Sequence, residues 1–320
     1  MSDLVLKSVA IGYGQAICSN INATVKRGEL VGLAGKNGAG KSTLIHSILG
    51  LQSILSGEIL LDNQISKHWS FQRRAQKIAV VFSRLQQVPS ISVEDVLALG
   101  RLPHQKGIQK LSSTEKELIE DALEKVGIVH LKNKMAHQLS DGQLQMVMIA
   151  RALVQDTDWV IMDEPTSHLD IENQFKIFEL IEKLSRETQK TFLVASHQID
   201  LLLQNATQLW WLDQGKFHAG FPEQIAYEQQ IYEQLSQEKI KFNYGLGNFQ
   251  FQHHQPKTIQ FMSDGSDFNY WIKHALERNG FAISTDAPLE VFVTDGQIRC
   301  GQQTFDRIEQ LIKYLKKKAL

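Results

Sequence analysis

Gly35-Lys36-Asn37-Gly38-Ala39-Gly40-Lys41-Ser42-Thr43 is the stretch that decides how this chain is read. It fits the phosphate-cradling template of Gly, four residues, Gly, Lys, Ser/Thr. Its surroundings fit as well. The apolar run Leu30-Val31-Gly32-Leu33-Ala34 predicts a strand before it, and the pattern from Thr43 onward predicts a helix after it, ended by Gly50. Small glycines let successive backbone N–H groups curl round the β- and γ-phosphates of a nucleotide. The helix N-terminus adds partial positive charge, Lys41 neutralises the terminal phosphates, and the Ser42 hydroxyl is suited to Mg²⁺. A glycine-rich turn with a chance lysine is the bland alternative, and strand-before-helix-after argues against it.

Upstream, Leu4-Val5-Leu6 and Ala23-Thr24-Val25 alternate like short antiparallel strands, the second running into the turn Lys26-Arg27-Gly28-Glu29. Between them Gly12-Tyr13-Gly14 offers an aromatic ring, either a base-stacking surface or a packing residue in a turn. Downstream, Gly57–Asn63 predicts a strand and turn, and Ile78-Ala79-Val80-Val81-Phe82 a buried strand. Residues 93–100 and 114–127 predict helices, the second capped by Ser113 or Thr114 with Glu117 following.

Three later stretches carry chemistry. Leu139-Ser140-Asp141-Gly142-Gln143 precedes a helix over Leu144–Val154, giving a second exposed helix N-terminus with a serine hydroxyl and a glycine N–H for an anion; alone, it reads as a helix cap, the commoner use of Ser and Asp. Asp158-Trp159-Val160-Ile161-Met162-Asp163-Glu164-Pro165 is an apolar strand ending in two carboxylates. Asp163 can hold the hydration shell of Mg²⁺, and Glu164 can orient or deprotonate an attacking water. After Ser167-His168-Leu169-Asp170 and a helix over Gln174–Glu187, the strand Thr191-Phe192-Leu193-Val194-Ala195 delivers Ser196-His197. With the phosphate loop, these strand ends converge on the carboxyl edge of one sheet, where open α/β folds place their ligands.

Beyond the hairpin Leu209–Ala219 and Phe221-Pro222-Glu223 the pattern changes. A polar, Gln-rich helix-like stretch over roughly 223–240 leads to an irregular segment with His253-His254, which reads as linker because no third ligand stands at useful spacing. A small unit of alternating strands and helices follows: Thr258–Met262, Asp267–Asn279, Phe281–Ser284, Glu290–Thr294, Gln297–Cys300 around Asp295-Gly296, and a final helix Asp306–Lys318. Lys316-Lys317-Lys318 complements the dipole of that helix, with a membrane-surface contact as the second reading.

Bulk properties agree. A chain of 320 residues holds one large core and a smaller one. Formal net charge is −1, which removes the simplest case for a nucleic-acid binder. The two cysteines, Cys18 and Cys300, lack ligand spacing or a disulfide framework and suit a reducing compartment. No stretch approaches the roughly 20 apolar residues a bilayer demands, and the N-terminus has no signal architecture.

In this order the motifs resemble the ATP-binding cassette (ABC) ATPases over roughly residues 3–222: stacking residue Tyr13, Walker A loop 35–43, signature 139–143, Walker B strand with Asp163-Glu164, D-loop 167–170 and switch histidine His197. The resemblance implies an α/β fold, a P-loop NTPase core of ABC type with an antiparallel β subdomain and a helical subdomain, followed by a small α+β C-terminal domain. The implied boundaries are 1–222 for the ATPase domain with its helical subdomain at about 84–150, 223–256 for a linker, and 257–320 for an accessory domain. It also implies ATP and Mg²⁺, and a head-to-tail homodimer. Gly35, Asn37, Gly38, Ala39, Gly40, Lys41, Ser42, Thr43 and Tyr13 of one copy would then bind the nucleotide with Ser140, Gly142, Gln143 and Asp170 completing the site. Glu164, His197 and Lys41 are the implied catalytic residues, and Ser42 and Asp163 the implied metal ligands. The segment Val93–His104, with Gly100-Arg101-Leu102-Pro103-His104, resembles ATPases of importers for iron-siderophore complexes, haem and cobalamin. That implies a cytoplasmic subunit, peripheral on the inner face of the membrane, driving a separate permease and indirectly a substrate-binding protein, with no nucleic acid. A soluble non-transport ABC ATPase and a nucleotide-switched regulatory module are the alternatives. Two positions depart from the pattern: Asp141 stands where the signature most often has Gly, and Ser83 stands where the Q-loop has Gln. Ser83 is a further metal candidate, with Gln86 or Gln87 as substitutes if the loop is shifted.

Overall fold

The computed structural model describes residues 3–82, 90–105, 110–236, 240–244, 248–251, 257–263, 265, 267–294 and 297–318. It forms two compact units, Met1–Gln229 and Gln230–Leu320. Ser83, Gln86, Gln87, His253, His254, Asp295 and Gly296 lie outside the described residues.

In chain order the first unit runs β1 (Leu4–Tyr13), β2 (Gln15–Val25), β3 (Leu30–Gly35), α1 (Lys41–Ile48), β4 (Ser56–Leu61), β5 (Gln64–Ile65), α2 (Phe71–Ala75), β6 (Ile78–Phe82), α3 (Val93–Ala98), α4 (Ser113–Val126), α5 (Asp141–Val154), β7 (Trp159–Asp163), α6 (Ile171–Thr188), β8 (Thr191–Ala195), α7 (Ile199–Asn205), β9 (Gln208–Asp213), β10 (Lys216–Gly220) and α8 (Pro222–Glu228). A six-stranded sheet has the order β10-β9-β3-β8-β7-β6 and is parallel except at β10. Near-continuous apolar runs such as Thr191–Ala195, buried at every position, are what a strand covered on both faces needs. Leu33 pairs with Ala195, Ala195 with Asp163, and Asp163 with Phe82, so four strand ends reach one edge in register.

An antiparallel sheet, β2-β1-β4-β5, closes the other side of the core. Leu4, Leu6, Val9 and Ile11 from it share one buried cluster with Leu44, Ile45 and Ile48 of α1 and with Val31, Leu33 and Ile161 of the large sheet. The first strands are therefore longer than the alternation suggests, and Tyr13 sits at the tip of their hairpin, opposite Gln15. Helices α3, α4 and α5 pack together, and α5 continues onto β6, where Arg151 donates to the Val80 carbonyl at 2.9 Å. The cap of α4 is Ser112, not Ser113 or Thr114, because Glu115 is the residue that reaches back to bond the cap N–H. Helix α5 starts at Asp141 rather than Leu144, because Ser140 caps it.

The Gly100–His104 segment stitches this region to the core. Arg101 donates to the Val154 carbonyl at 2.9 Å, and the His104 Nε2 proton goes to the Gln155 carbonyl at 2.8 Å. These are carbonyls that the end of α5 leaves without helical partners. A Cβ on Gly100 would stand 2.6 Å from the Arg151 carbonyl, so this position needs glycine.

The second unit holds α9 (Ile231–Leu235), β11 (Ile240–Asn243), β12 (Asn248–Phe251), β13 (Lys257–Ser263), α10 (Asp267–Arg278), β14 (Phe281–Ile283), β15 (Glu290–Thr294), β16 (Gln297–Cys300), β17 (Gln303–Phe305) and α11 (Ile308–Lys318). Its five-stranded sheet, β14-β13-β15-β16-β17, carries two parallel pairs around β13 and then antiparallel steps. Ile259, Ile272, Leu276, Val291, Ile298, Leu311 and Leu315 form its core. The sequence pattern missed β17, three residues beginning with two exposed polar side chains.

The stretch expected as a linker carries structure among its described residues. Pro222 starts α8, whose buried Ile225 packs it onto the first unit. A left-handed Gln230 (φ 46°) breaks the expected single helix, and Tyr232 then stacks on Phe242 at 3.9 Å. Both cysteines are buried and free, and no helix among the described residues is long and apolar enough to cross a membrane.

Candidate active site

The phosphate loop gets its shape from three backbone positions. Gly38 (φ 80°) and Gly40 (φ 106°) occupy the left-handed region, and Gly35 (φ 152°) passes so close to Leu212 that a Cβ there would stand 2.4 Å from its carbonyl oxygen. Between them Ala39 N–H closes a turn on the Lys36 carbonyl at 3.1 Å. Helix α1 then begins at Lys41 with no side chain capping it, so the N–H groups of its first turn remain available. Asn37, Gly38 and Ser42 are exposed around the loop, and Thr43 is buried beneath it.

Lys41 lies across this cradle, 9% exposed, with Nζ donating to the Gly35 carbonyl at 2.8 Å and the Lys36 carbonyl at 3.4 Å. Burial lowers its pKa, and the nearby Glu164 and Asp163 charges oppose that drop. The ammonium is thus held in place by carbonyls before any phosphate arrives. The hairpin of Tyr13 reaches the same place: Ile17 and Ile11 side chains stand 3.1 and 3.4 Å from where a Cβ on Gly40 would be. Tyr13 itself is 65% exposed, a ring free to stack.

Asp163 ends β7 in register with the end of β8. Burial raises its pKa, opposed first by a hydrogen bond from Ser42, while the Glu164 charge adds to the rise. Its Oδ1 is buried without a hydrogen-bond partner. An orphaned carboxylate oxygen beside a serine hydroxyl is a donor set suited to a hydrated divalent cation, so Ser42 and Asp163 fit Mg²⁺.

Glu164 follows with a left-handed φ of 53°, uncommon for a non-glycine residue, while its N–H still bonds the Ala195 carbonyl at 2.9 Å. The chain turns sharply there, and the carboxylate meets His197 from the end of β8: Nδ1–H donates to Glu164 Oε2 at 2.7 Å. Ser167 donates its hydroxyl to the Glu164 carbonyl at 2.9 Å, and Thr166 donates to Gln198 Oε1 at 3.0 Å. Those two supports were not read from the sequence; buried Thr166, beside an acidic strand end, was the available signal.

Ser140, Gly142, Gln143 and Asp170 form a second group. Ser140 Oγ accepts from Gln143 N–H at 3.3 Å and Gln143 Oε1 accepts from Ser140 N–H at 3.3 Å, so Gln143 closes the start of α5. Asp170 caps α6 and is bonded by Asn173, which in turn lies against Gly142. The described contacts of this group are with one another and not with the phosphate loop.

The chain is similar to known proteins. The ABC transporter family matches residues 18–167, and the iron ABC transporter C-terminal domain family matches residues 256–316. A petrobactin import ATP-binding protein of Bacillus anthracis is 30% identical over 230 residues, 71% of this chain and 84% of that protein. A ferric enterobactin transport ATP-binding protein of Escherichia coli is 31% identical over 221 residues, 68% of this chain and 82% of that protein. Among solved structures, a metal-chelate type ABC transporter in an inward-facing conformation aligns with TM-score 0.62 at 25% identity, over 70% of this chain and 85% of that one.

Proposed function

From the premise that the chain belongs to the ABC transporter ATPases, we propose that it binds and hydrolyses ATP to power uptake of a metal chelate of the iron-siderophore type through a separate membrane permease. Support for the cargo class comes from the siderophore importers it resembles and from its match to the iron ABC transporter C-terminal domain. The working unit is a homodimer, held at the inner face of the membrane by the permease, which takes its cargo from a substrate-binding protein.

The observation that carries the reaction is the Glu164–His197 pair at the edge where Lys41 and Asp163 also end. ATP enters with its phosphates in the uncapped start of α1 and its base on Tyr13. Lys41 draws the β- and γ-phosphates into the loop and offsets their charge. Ser42 and Asp163 would hold Mg²⁺, which when bound would supply positive charge against the same phosphates. Glu164 accepts the proton of the attacking water, and the imidazole N–H on its other oxygen fixes its orientation. His197 Nε2, on the far side of the ring, is the group aimed at the γ-phosphate. Ser140 and Gly142 of a second copy close the site.

Glu164→Gln should retain ATP binding and lose turnover by at least about 100-fold, the scale of general-base catalysis, as read by phosphate release alongside nucleotide binding. Hydrolysis near the wild-type rate would remove Glu164 from this role. Solubilised membranes should yield the chain together with a polytopic partner; purification without one would remove the transport reading.

A further inference from the structure

Asn173 stands between two segments, 139–143 and 167–170, that the sequence separates by most of α5, strand β7 and the turns around it. Its backbone N–H donates to Asp170 Oδ1 at 2.8 Å and its side-chain amide to Asp170 Oδ2 at 3.1 Å, so one residue engages both oxygens of that carboxylate. The neighbouring Gln174 donates to the Leu169 carbonyl at 2.8 Å and pins the same loop from behind. The opposite side of the Asn173 side chain faces α5. A Cβ built on Gly142 would stand 3.0 Å from both Cγ and Oδ1 of Asn173, so the two residues touch because position 142 carries no side chain.

A side chain fixed by its amide has little rotamer freedom left, which makes it a spacer of set length. We propose that Asn173 is a positioning residue that fixes the distance between residues 139–143 and 167–170, so that Ser140, Gly142 and Asp170 meet the nucleotide of the second copy as one preformed surface. The proposal rests on the two-copy reading above. It gives Gly142 a second requirement besides a free N–H: room for Asn173.

The test uses the full chain with Glu164→Gln, so that ATP persists. Light scattering against ATP concentration reads pairing, a fluorescent nucleotide at low protein concentration reads binding to the single chain, and amide hydrogen exchange reads residues 140–144 without nucleotide. Asn173→Ala should raise the ATP needed for half-maximal pairing about ten-fold, the equivalent of roughly 1.4 kcal/mol. It should also speed exchange at 140–144 and leave single-chain nucleotide binding unmoved. Gly142→Ala should raise the requirement as well, and the double variant should fall short of the product of the two, because removing Asn173 relieves the added methyl. Multiplying effects, or a lowered melting temperature with an unmoved ATP requirement and unchanged exchange, would overturn the proposal. If the Glu164→Gln chain never pairs in ATP, the two-copy reading fails, and exchange at 140–144 then decides the spacer role: faster upholds it, unchanged overturns it.

Discussion

Two helix starts carry the anion chemistry proposed for this chain, and they treat their own N–H groups differently. Helix α1 opens at Gly40 with no side-chain cap, leaving its first-turn donors unused by the protein. Helix α5 opens at Ser140 inside a closed box with Gln143. An uncapped start pays the desolvation of its donors unless an anion or water meets them, whereas a boxed start is satisfied alone. On the proposed reading the first is therefore the half that binds within a single chain, with Lys41 already held by two carbonyls. The second is stable without a ligand and offers only what its box leaves over, the Ser140 hydroxyl proton and the N–H groups around Gly142. That asymmetry is what a site completed by a second copy needs: one half binds first, and the other adds a smaller increment on closure.

The comparison breaks first at Lys41. Lys41→Ala removes a charged donor worth about 2 to 3 kcal/mol, so ATP affinity of the single chain should fall roughly 100-fold by titration calorimetry. An affinity within a few-fold of wild type would mean the α1 start is not the primary site. Ser140→Ala probes the other half. Single-chain affinity should stay put, while the ATP needed for pairing of the Glu164→Gln chain rises about ten-fold; a loss of single-chain affinity would erase the distinction between the two starts.

How far the sequence carried this reading depends on how local the determinant is. The phosphate loop was legible because glycine spacing and Lys41 sit within nine residues, and the carboxylates because an apolar run stops at Asp163. The pairing of Glu164 with His197 was accessible only as two strand ends on one edge; the register of β7 with β8 makes it a 2.7 Å contact. Asn173 was not accessible, since its role depends on α5 meeting the first turn of α6, a tertiary contact without a sequence period. Within the segment 223–256, expected as a linker with a helix-like Gln-rich start, Pro222 with Ile225 and Tyr232 with Phe242 give the described residues packing of their own. Few apolar residues at the right spacing outweigh a polar average.

The finest test of the contrast uses a third helix start as a control. Helix α4 opens with the same kind of box as α5, Ser112 with Glu115, and the proposed nucleotide site includes no residue from it. Ser112→Ala should cost about 1 kcal/mol of stability, the usual value of an N-cap, and leave the ATP requirement for pairing unchanged. Glu115 adds a pH dimension. Its pKa is lowered to about 2, chiefly by the Ser112 backbone N–H, with Gln105, the Ser112 hydroxyl and Arg101 assisting against burial. A folded value depressed below the ordinary 4.5 stabilises the fold at neutral pH, and that contribution fades as pH falls from about 4.5 towards about 2. Glu115→Gln should therefore melt below wild type at pH 6, with the gap narrowing steadily in melts taken down to pH 3. A gap that stays constant would show that the box at α4 acts through packing and not through charge. The α5 box, whose partner Gln143 is neutral, should show no such narrowing when Gln143→Ala is compared with wild type over the same range.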